Sequence, residues 1–224
     1  MTGPDGHPRP EEPLIITPSM LTAAPRRVPI DFERGMRLAP LLVLTLIVTN
    51  VAMFVWEVAA GALSSSDAII AAGALSREEV YAGEWWRLFS AMFLHGGPDH
   101  LIGNMIVLYI VGIGCEHAVG VAGTAIVYFT AGVAGFLLSL LLNEGPSVGA
   151  SGAIFGVAAA LIVVLIRFRD RYHVRDKRIG VVLGIWAAYQ LAIGFMLPFV
   201  DNFAHLGGLA GGAVAALLVP SRVH

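Results

Sequence analysis

The stretch Gly149-Ala150-Ser151-Gly152-Ala153-Ile154-Phe155-Gly156 opens an apolar run that continues to Phe168, so a serine lies inside a segment suited to a membrane. A second apolar run begins near Phe203 and carries His205 almost at its start. A serine and a histidine at matching depths of two helices are the minimal parts of a serine hydrolase. Because hydrocarbon is a costly solvent for polar groups, the pair indicates a functional site.

The composition indicates an integral membrane protein. Hydrophobic residues make up 57% of the 224 residues and charged residues 13%, which is far more apolar than a soluble domain. The net charge of -2 and the lack of a basic stripe argue against nucleic acid as a partner. The single cysteine, Cys115, excludes an internal disulfide and a multi-cysteine metal site. His95, His100 and His205 lack the spacing of a zinc motif, so we expect neither a metal nor another cofactor.

Six apolar runs, each near the ~20 residues that span hydrocarbon, predict an all-α, polytopic bundle of six transmembrane helices. The runs are Leu38 to Leu63, Leu101 to Ala118, Val119 to Leu142, Ser151 to Phe168, Ile179 to Val200 and Phe203 to Val219. We expect a flexible tail at residues 1–37, a membrane domain at 38–219 and a short tail at 220–224. No signal peptide opens the chain, so we expect insertion to depend on the later runs.

The basic residues predict the orientation. Twelve of the 14 Lys and Arg residues lie in the amino-terminal tail, between the fourth and fifth runs, or after the sixth. Positive residues favour the cytoplasmic side, so both termini are expected there, with Arg77 and Arg87 on the outer side. This arrangement places Ser151 and His205 at the outer ends of their helices, together with His100 and Asn104.

Glycines provide a way for the serine and the histidine to meet. Proton transfer needs heavy atoms ~3 Å apart, whereas helix axes usually lie 8 to 10 Å apart. Glycines four residues apart let helices approach closely, and both runs have them: Gly152 and Gly156 in one, Gly207, Gly208, Gly211 and Gly212 in the other. Two simpler readings stay open, namely that these glycines only pack helices and that Ser151 only bonds its own backbone.

The second run begins with two polar residues on one helical face, His100 and Asn104. Both can donate hydrogen bonds to the oxygen that becomes negative during acyl transfer, which makes them candidates for an oxyanion hole. They could instead bond loop carbonyls. Asp201 could orient the His205 imidazole, although a solvated interfacial residue is the favoured interpretation.

The loop after the first run, residues 64–97, is long enough to indicate a functional role. It contains Trp85-Trp86-Arg87, in which tryptophans suit the membrane interface. Arg87 either reaches lipid headgroups or pins the loop. His95, near the end of the loop, is expected to stiffen it.

Taken together, these residues resemble the rhomboid family of intramembrane serine proteases. The matching pieces are Trp86-Arg87, His95, the His100 and Asn104 pair, Glu116, Gly149-Ala150-Ser151-Gly152 and Ala204-His205-Leu206-Gly207-Gly208. They occur in the family's order across roughly residues 38–219. The resemblance implies a dyad with Ser151 as nucleophile and His205 as general base. It also implies an oxyanion site at His100 and Asn104.

The resemblance further implies that the Trp86-Arg87 loop lies partly in the membrane and that the substrates are transmembrane segments of membrane proteins, cut near their outer ends. We therefore expect such proteins and membrane lipid as partners, and a bacterial inner membrane as the location. Phe155 departs from the family, in which many members have a tyrosine that packs against the catalytic histidine. Since an aromatic ring remains, the stacking is expected to persist.

Two other classes of function were weighed. A non-catalytic binder or quality-control adaptor for transmembrane helices would use the same fold, but such relatives normally lack the serine or the histidine. A transporter is expected to show paired intramembrane charges or broken helices near the midplane, and this sequence shows neither.

Overall fold

The computed structural model describes residues 30–174, 178–197 and 200–222, which are mainly helical. The helices are α1 Leu41–Ala59, α2 Ser66–Ala71, α3 Arg77–Tyr81, α4 Arg87–Ser90, α5 Pro98–Leu142, α6 Ser151–Arg167, α7 Ile179–Met196 and α8 Asn202–Leu218. A 3-10 turn covers Ala62–Ser64, and two short strands, β1 Ile30–Asp31 and β2 Tyr172–His173, pair in parallel. The structure confirms a bundle of apolar helices.

Three of the described helices, α1, α5 and α7, are long and apolar enough to cross a membrane. Two more, α6 and α8, are apolar helices of 17 residues each. The prediction of six spans stays a prediction, because length and composition alone do not give the number of crossings.

Helix α5 contains two of the predicted runs in one element of 45 residues. Gly120 interrupts it with φ 77° and ψ 174°, a conformation that glycine adopts far more readily than other residues. Thr124 Oγ1 lies 3.7 Å from Cys115 Sγ across this break, although residues nine apart in a straight helix are separated by about 13.5 Å. The chain therefore bends sharply at Gly120, near the boundary that the sequence predicts.

The centre of the bundle is formed by α5, α6 and α8, which pack against one another. Helix α6 is buried without interruption from Gly152 to Leu161, as is typical of a helix surrounded by others. By contrast, only three of the described residues of α7 are buried, namely Leu183, Ala187 and Gly194. One side of α6 is therefore covered less tightly than the others.

The two ends of the bundle differ. The end of the bundle opposite Ser151 contains β1, β2 and Arg222 and is called here the basic end. There β1 pairs with β2, and the backbone N–H of Arg222 donates to the Ala118 carbonyl at 2.8 Å. Phe32 is buried there, with 4% of its surface exposed. Residues 30–32 therefore pair and pack against the bundle, whereas residues 34, 35 and 37 are exposed. The flexible tail expected at residues 1–37 stays a prediction, and its first 29 residues lie outside the described part of the chain.

Candidate active site

Ser151 and His205 meet at the ends of two packed helices. Ser151 is the first residue of α6, and His205 lies in the first turn of α8. The Ser151 Oγ and His205 Nε2 atoms are 2.9 Å apart, which is a hydrogen-bond distance. His205 is buried, with 7% of its surface exposed. The pair thus has the separation that proton transfer requires.

Glycines next to these two residues bring the helices together. A Cβ atom added to Gly152 would lie 3.0 Å from the carbonyl oxygen of Ala204, and one added to Gly156 would lie 2.8 Å from that of Gly208. A Cβ on Gly208 itself would collide with the Gly152 carbonyl. Backbone therefore rests on backbone at this crossing, and the close approach that the glycine spacing predicts is confirmed.

Aromatic rings hold the imidazole from one side. Phe155 is stacked on His205, with ring centroids 4.4 Å apart and planes inclined by 14°, so the predicted stacking is present. Phe155 also contacts Trp186 of α7, with ring centroids 5.0 Å apart. Trp186 was not predicted as a site residue, although it is the only tryptophan of the fifth run.

Asp201 does not orient the imidazole. Its carboxylate accepts the N–H of Ala204 at 3.0 Å, which caps α8, and it also accepts a hydrogen bond from the Ser139 hydroxyl. Asp201 is partly exposed, as expected for an interfacial residue, and its carboxylate in addition joins the start of α8 to the far end of α5. Among the described residues, His205 Nδ1 has no hydrogen-bond partner. The arrangement is a serine–histidine pair rather than a triad.

His100 and Asn104 converge on the segment that precedes the serine. A Cβ atom on Gly149 would lie 2.7 Å from His100 Cε1 and 3.6 Å from Asn104 Nδ2. Gly149 has φ +124°, a backbone conformation that favours glycine. Any other residue at this position would therefore have both a strained backbone and too little space for its Cβ atom. Two polar side chains of α5 therefore face the backbone two residues before Ser151.

The hydrogen bonds of these side chains indicate which atoms can donate. His100 Nδ1 accepts the N–H of Gly96 at 3.4 Å, which leaves the proton of a neutral imidazole on Nε2, the nitrogen near Gly149. Asn104 Nδ2 is buried and has no partner among the described residues. A buried donor without a partner is costly unless a ligand completes it. Both groups can therefore donate into the space beside Ser151.

His95 packs behind His100. The two rings lie in an edge contact with centroids 5.2 Å apart, and the backbone N–H of His95 donates to the Glu57 carboxylate at 2.9 Å. Burial, together with the neighbouring His100, lowers the pKa of His95 to about 3. His95 is therefore neutral at physiological pH. Its link to α1 is consistent with the predicted role in stiffening the loop.

Arg87 pins the first loop. Its guanidinium donates to the carbonyl of Ala74 at 2.9 Å and to that of Ile70, and Nε donates to Glu84 at 2.7 Å. Because only 6% of its side chain is exposed, Arg87 stabilises the loop from inside the protein and does not reach lipid headgroups. Trp86 is half exposed and packs against Gly73, where an added Cβ would lie 3.0 Å from its ring.

The same loop holds the segment before the serine. Leu75 and Ser147 exchange two backbone hydrogen bonds of 2.9 Å, and the N–H of Gly149 donates to the Ala91 carbonyl at 2.8 Å. The loop therefore helps to fix where Ser151 begins its helix.

Glu116 lies away from this site, at the basic end. Its carboxylate accepts the N–H groups of Leu42 and Val43, both at 3.1 Å, and so caps the start of α1, where the helix dipole favours negative charge. No three His, Cys, Asp or Glu side chains converge as metal ligands within the residues that the structure describes.

Comparison with known proteins agrees with this geometry. The Rhomboid domain family matches residues 82–222, from the tryptophan loop through His205. Rhomboid protease GluP of Bacillus subtilis is 36% identical over 162 residues, which cover 71% of this chain and 31% of GluP. RHOMBOID-like protein 1 of Arabidopsis thaliana is 41% identical over 134 residues, or 59% of this chain and 34% of that protein.

This chain therefore spans about a third of the length of these two relatives. Rhomboid protease AarA of Providencia stuartii is matched more completely, with 30% identity over 216 residues that cover 81% of this chain and 74% of AarA. The matched stretch contains the Ser151 and His205 pair and the side chains that surround it. From its fold, its site and these relatives, this chain belongs to the rhomboid family.

Proposed function

We propose that this protein is an intramembrane serine endopeptidase that cleaves transmembrane segments near the outer face of the membrane. The observation that carries the proposal is the 2.9 Å contact between Ser151 Oγ and His205 Nε2, beside two donors on α5, His100 Nε2 and the buried Asn104 Nδ2. An adaptor that only binds helices has no need of a serine and a histidine in contact.

The reaction begins when neutral His205 accepts the proton of Ser151 as Oγ attacks the peptide carbonyl carbon. The resulting oxyanion accepts hydrogen bonds from His100 Nε2 and Asn104 Nδ2, and from the backbone N–H of Ser151 at the positive end of α6. The imidazolium then donates its proton to the leaving amine. A water molecule then attacks the acyl-enzyme with His205 as its general base, and the imidazolium returns the proton to Ser151 Oγ as the bond between Oγ and the acyl carbon breaks.

The imidazole works here without a carboxylate partner. In a triad, the third residue holds the base in position. Here the stacked Phe155 ring restricts the plane of His205, and Trp186 packs against Phe155 in turn. Stacked aromatic pairs contribute about 0.5–1.5 kcal/mol beyond their burial, which is enough to select one ring orientation.

The proposed setting is a bacterial inner membrane crossed six times, with both termini in the cytoplasm and Ser151 toward the outer side. Twelve of the 14 basic residues support this orientation by the positive-inside rule. The substrates are membrane proteins, in keeping with the relatives named rhomboid proteases. On the site's side, the half-exposed rings of Trp85 and Trp86 suit a loop that rests in the membrane interface.

The direct test is Ser151→Ala in the purified protein, with a model transmembrane substrate and a fluorophosphonate probe. We expect cleavage and labelling to be lost while the protein remains folded, since Ser151 has no packing role that alanine cannot fill. Ser147→Ala is a matched control, because Ser147 is a nearby buried serine that pairs with Leu75 through backbone atoms. Cleavage that persists in Ser151→Ala would refute the proposal.

A further inference from the structure

A groove of about 610 Å³ lies between the end of α6 and the start of α7, at the basic end of the bundle. This volume falls within the ~300–1,000 Å³ range of ligand-binding pockets. The groove exists because α7 packs loosely there and buries few of its side chains. It is separate from the active site, which lies at the opposite end of α6.

The wall of the groove is mostly apolar. Ile162 and Ile166 of α6 face Val181 of α7 across it, and Gly180 leaves room between them. An apolar cavity offers water no hydrogen-bond partners, so water does not fill such a space well. In a membrane the surrounding solvent is hydrocarbon, and a lipid chain gains the dispersion contacts that an empty groove loses.

The mouth of the groove carries charge. Arg169, two residues beyond the end of α6, lines it, and Arg167 and Arg171 flank Arg169 in the sequence. Arg169 also lies 3.9 Å from the carboxylate of Asp170, but both side chains are largely exposed, at 79% and 95%. Exposed pairs of this kind contribute little, so the Arg169 guanidinium can exchange this partner for a phosphate.

We propose that this groove binds an anionic phospholipid. One acyl chain lies between Ile162, Ile166 and Val181, and the phosphate binds Arg169 at the mouth. The apolar wall next to a basic rim matches a lipid with a negative headgroup better than it matches an uncharged one. A transmembrane helix, or residues 1–29 of this chain, are the alternative occupants that the experiment must distinguish.

The first test fills the groove with a side chain. A Cβ atom on Gly180 meets nothing within 4 Å, so Gly180→Leu can project into the groove without a clash with the protein. Gly184→Leu is the matched control, because it lies one turn further along α7, is equally unobstructed and does not line the groove. Native mass spectrometry of the full chain, delipidated and then titrated with phosphatidylglycerol, measures the bound lipid. We expect Gly180→Leu to lose the bound phosphatidylglycerol and Gly184→Leu to keep it.

The second test changes the charge at the mouth. Arg169→Gln should weaken the apparent affinity for phosphatidylglycerol by about fivefold, the factor that corresponds to ~1 kcal/mol for a basic residue near an anionic membrane surface. Asp170→Asn should strengthen it, because it removes a competing carboxylate. Both positions are exposed, so these variants test the proposal even if a leucine at position 180 prevents folding.

Several outcomes would overturn the proposal. Equal retention of phosphatidylglycerol and phosphatidylcholine would show that the anionic headgroup does not contribute to binding. Unchanged lipid binding in Gly180→Leu, with a higher KM for a transmembrane substrate, would identify the groove as a helix-binding surface. Stronger lipid binding after deletion of residues 1–29 would show that this segment occupies the groove.

Discussion

At the scale of single residues, the site consists of groups whose positions are set by their neighbours. Ser151 and His205 were predicted to be close from the depths of their runs, and the structure places them 2.9 Å apart. The partners of Asp201 were missed, because a carboxylate that caps its own helix and also bonds Ser139 cannot be distinguished by sequence from a solvated one. The contact of Trp186 with Phe155 was not predicted, because the periodicity of α7 does not show which of its faces packs against Phe155.

The role of Asn104 can be tested by Asn104→Ala. Loss of one oxyanion donor should lower kcat by on the order of 10²- to 10³-fold with little change in KM, since the interaction forms only in the transition state. Steady-state kinetics with a fluorogenic transmembrane substrate measures both constants. Asn143→Ala is the control, because Asn143 Nδ2 bonds only the nearby Gly145 carbonyl. A higher KM with unchanged kcat would assign Asn104 to substrate binding instead.

His95 predicts how stability depends on pH. Its pKa falls from 6.5 to about 3 in the folded protein, so between these values the unfolded chain binds more protons than the folded one. The contribution of neutral, buried His95 to stability is complete above pH 6.5 and is lost as the pH falls toward 3. His95→Phe, which cannot be protonated, should flatten the fall in thermal midpoint between pH 7 and pH 4.

The control variant replaces a histidine that lies on the surface of the protein. His173→Phe serves this purpose, because His173 is exposed at the basic end. It should leave the pH dependence of the midpoint close to that of the wild type. If His95→Phe and the wild type lose stability in parallel as the pH falls, burial of His95 is not the cause of the loss.

At the scale of elements, the helices were predictable and their joints were not. Hydrophobic runs of about 20 residues predicted α1, α5, α6, α7 and α8 closely, because a helix in hydrocarbon must be apolar along its length. The pairing of β1 with β2 was not predictable, since two residues per strand leave no periodic pattern. The bonds from Arg87 to two loop carbonyls were not predictable either, because backbone acceptors carry no sequence signal.

The crossing of α6 and α8 gives a prediction about packing. Gly208→Ala places a methyl group against the Gly152 carbonyl and must push the helices apart, and overpacking of this kind typically costs about 1–3 kcal/mol. Both the thermal midpoint and the cleavage rate should fall. Gly184→Ala, in open space on α7, should lower neither. Full activity in Gly208→Ala would mean that the close crossing is not needed to align the pair.

At the scale of the whole molecule, the two ends of the bundle have different chemistry. Catalytic candidates and the tryptophan loop lie at one end, while β1, β2 and Arg222 lie at the other. The sequence predicted this separation from its basic residues, because the positive-inside rule depends on counts rather than on packing. It did not predict the pairing of β1 or the burial of Phe32, since short segments are ordered by contacts that composition does not reveal.

The orientation can be measured with an impermeant maleimide in whole cells. Gly145→Cys, in open space near the site, should be labelled from outside, whereas Arg169→Cys should be labelled only after the membrane is made permeable. Native Cys115 is 1% exposed and provides a silent background. The reverse pattern of labelling would invert the proposed topology.

The contact between Gly152 and the Ala204 carbonyl has a consequence for how the enzyme responds to its surroundings. A seam made of backbone atoms has no rotamers, so local side-chain motion cannot relax or retune it. The spacing between the backbones that carry the nucleophile and the base can then change only when whole helices shift. We expect turnover to depend on the lateral pressure and thickness of the bilayer, which makes the membrane itself a physical regulator of this pair.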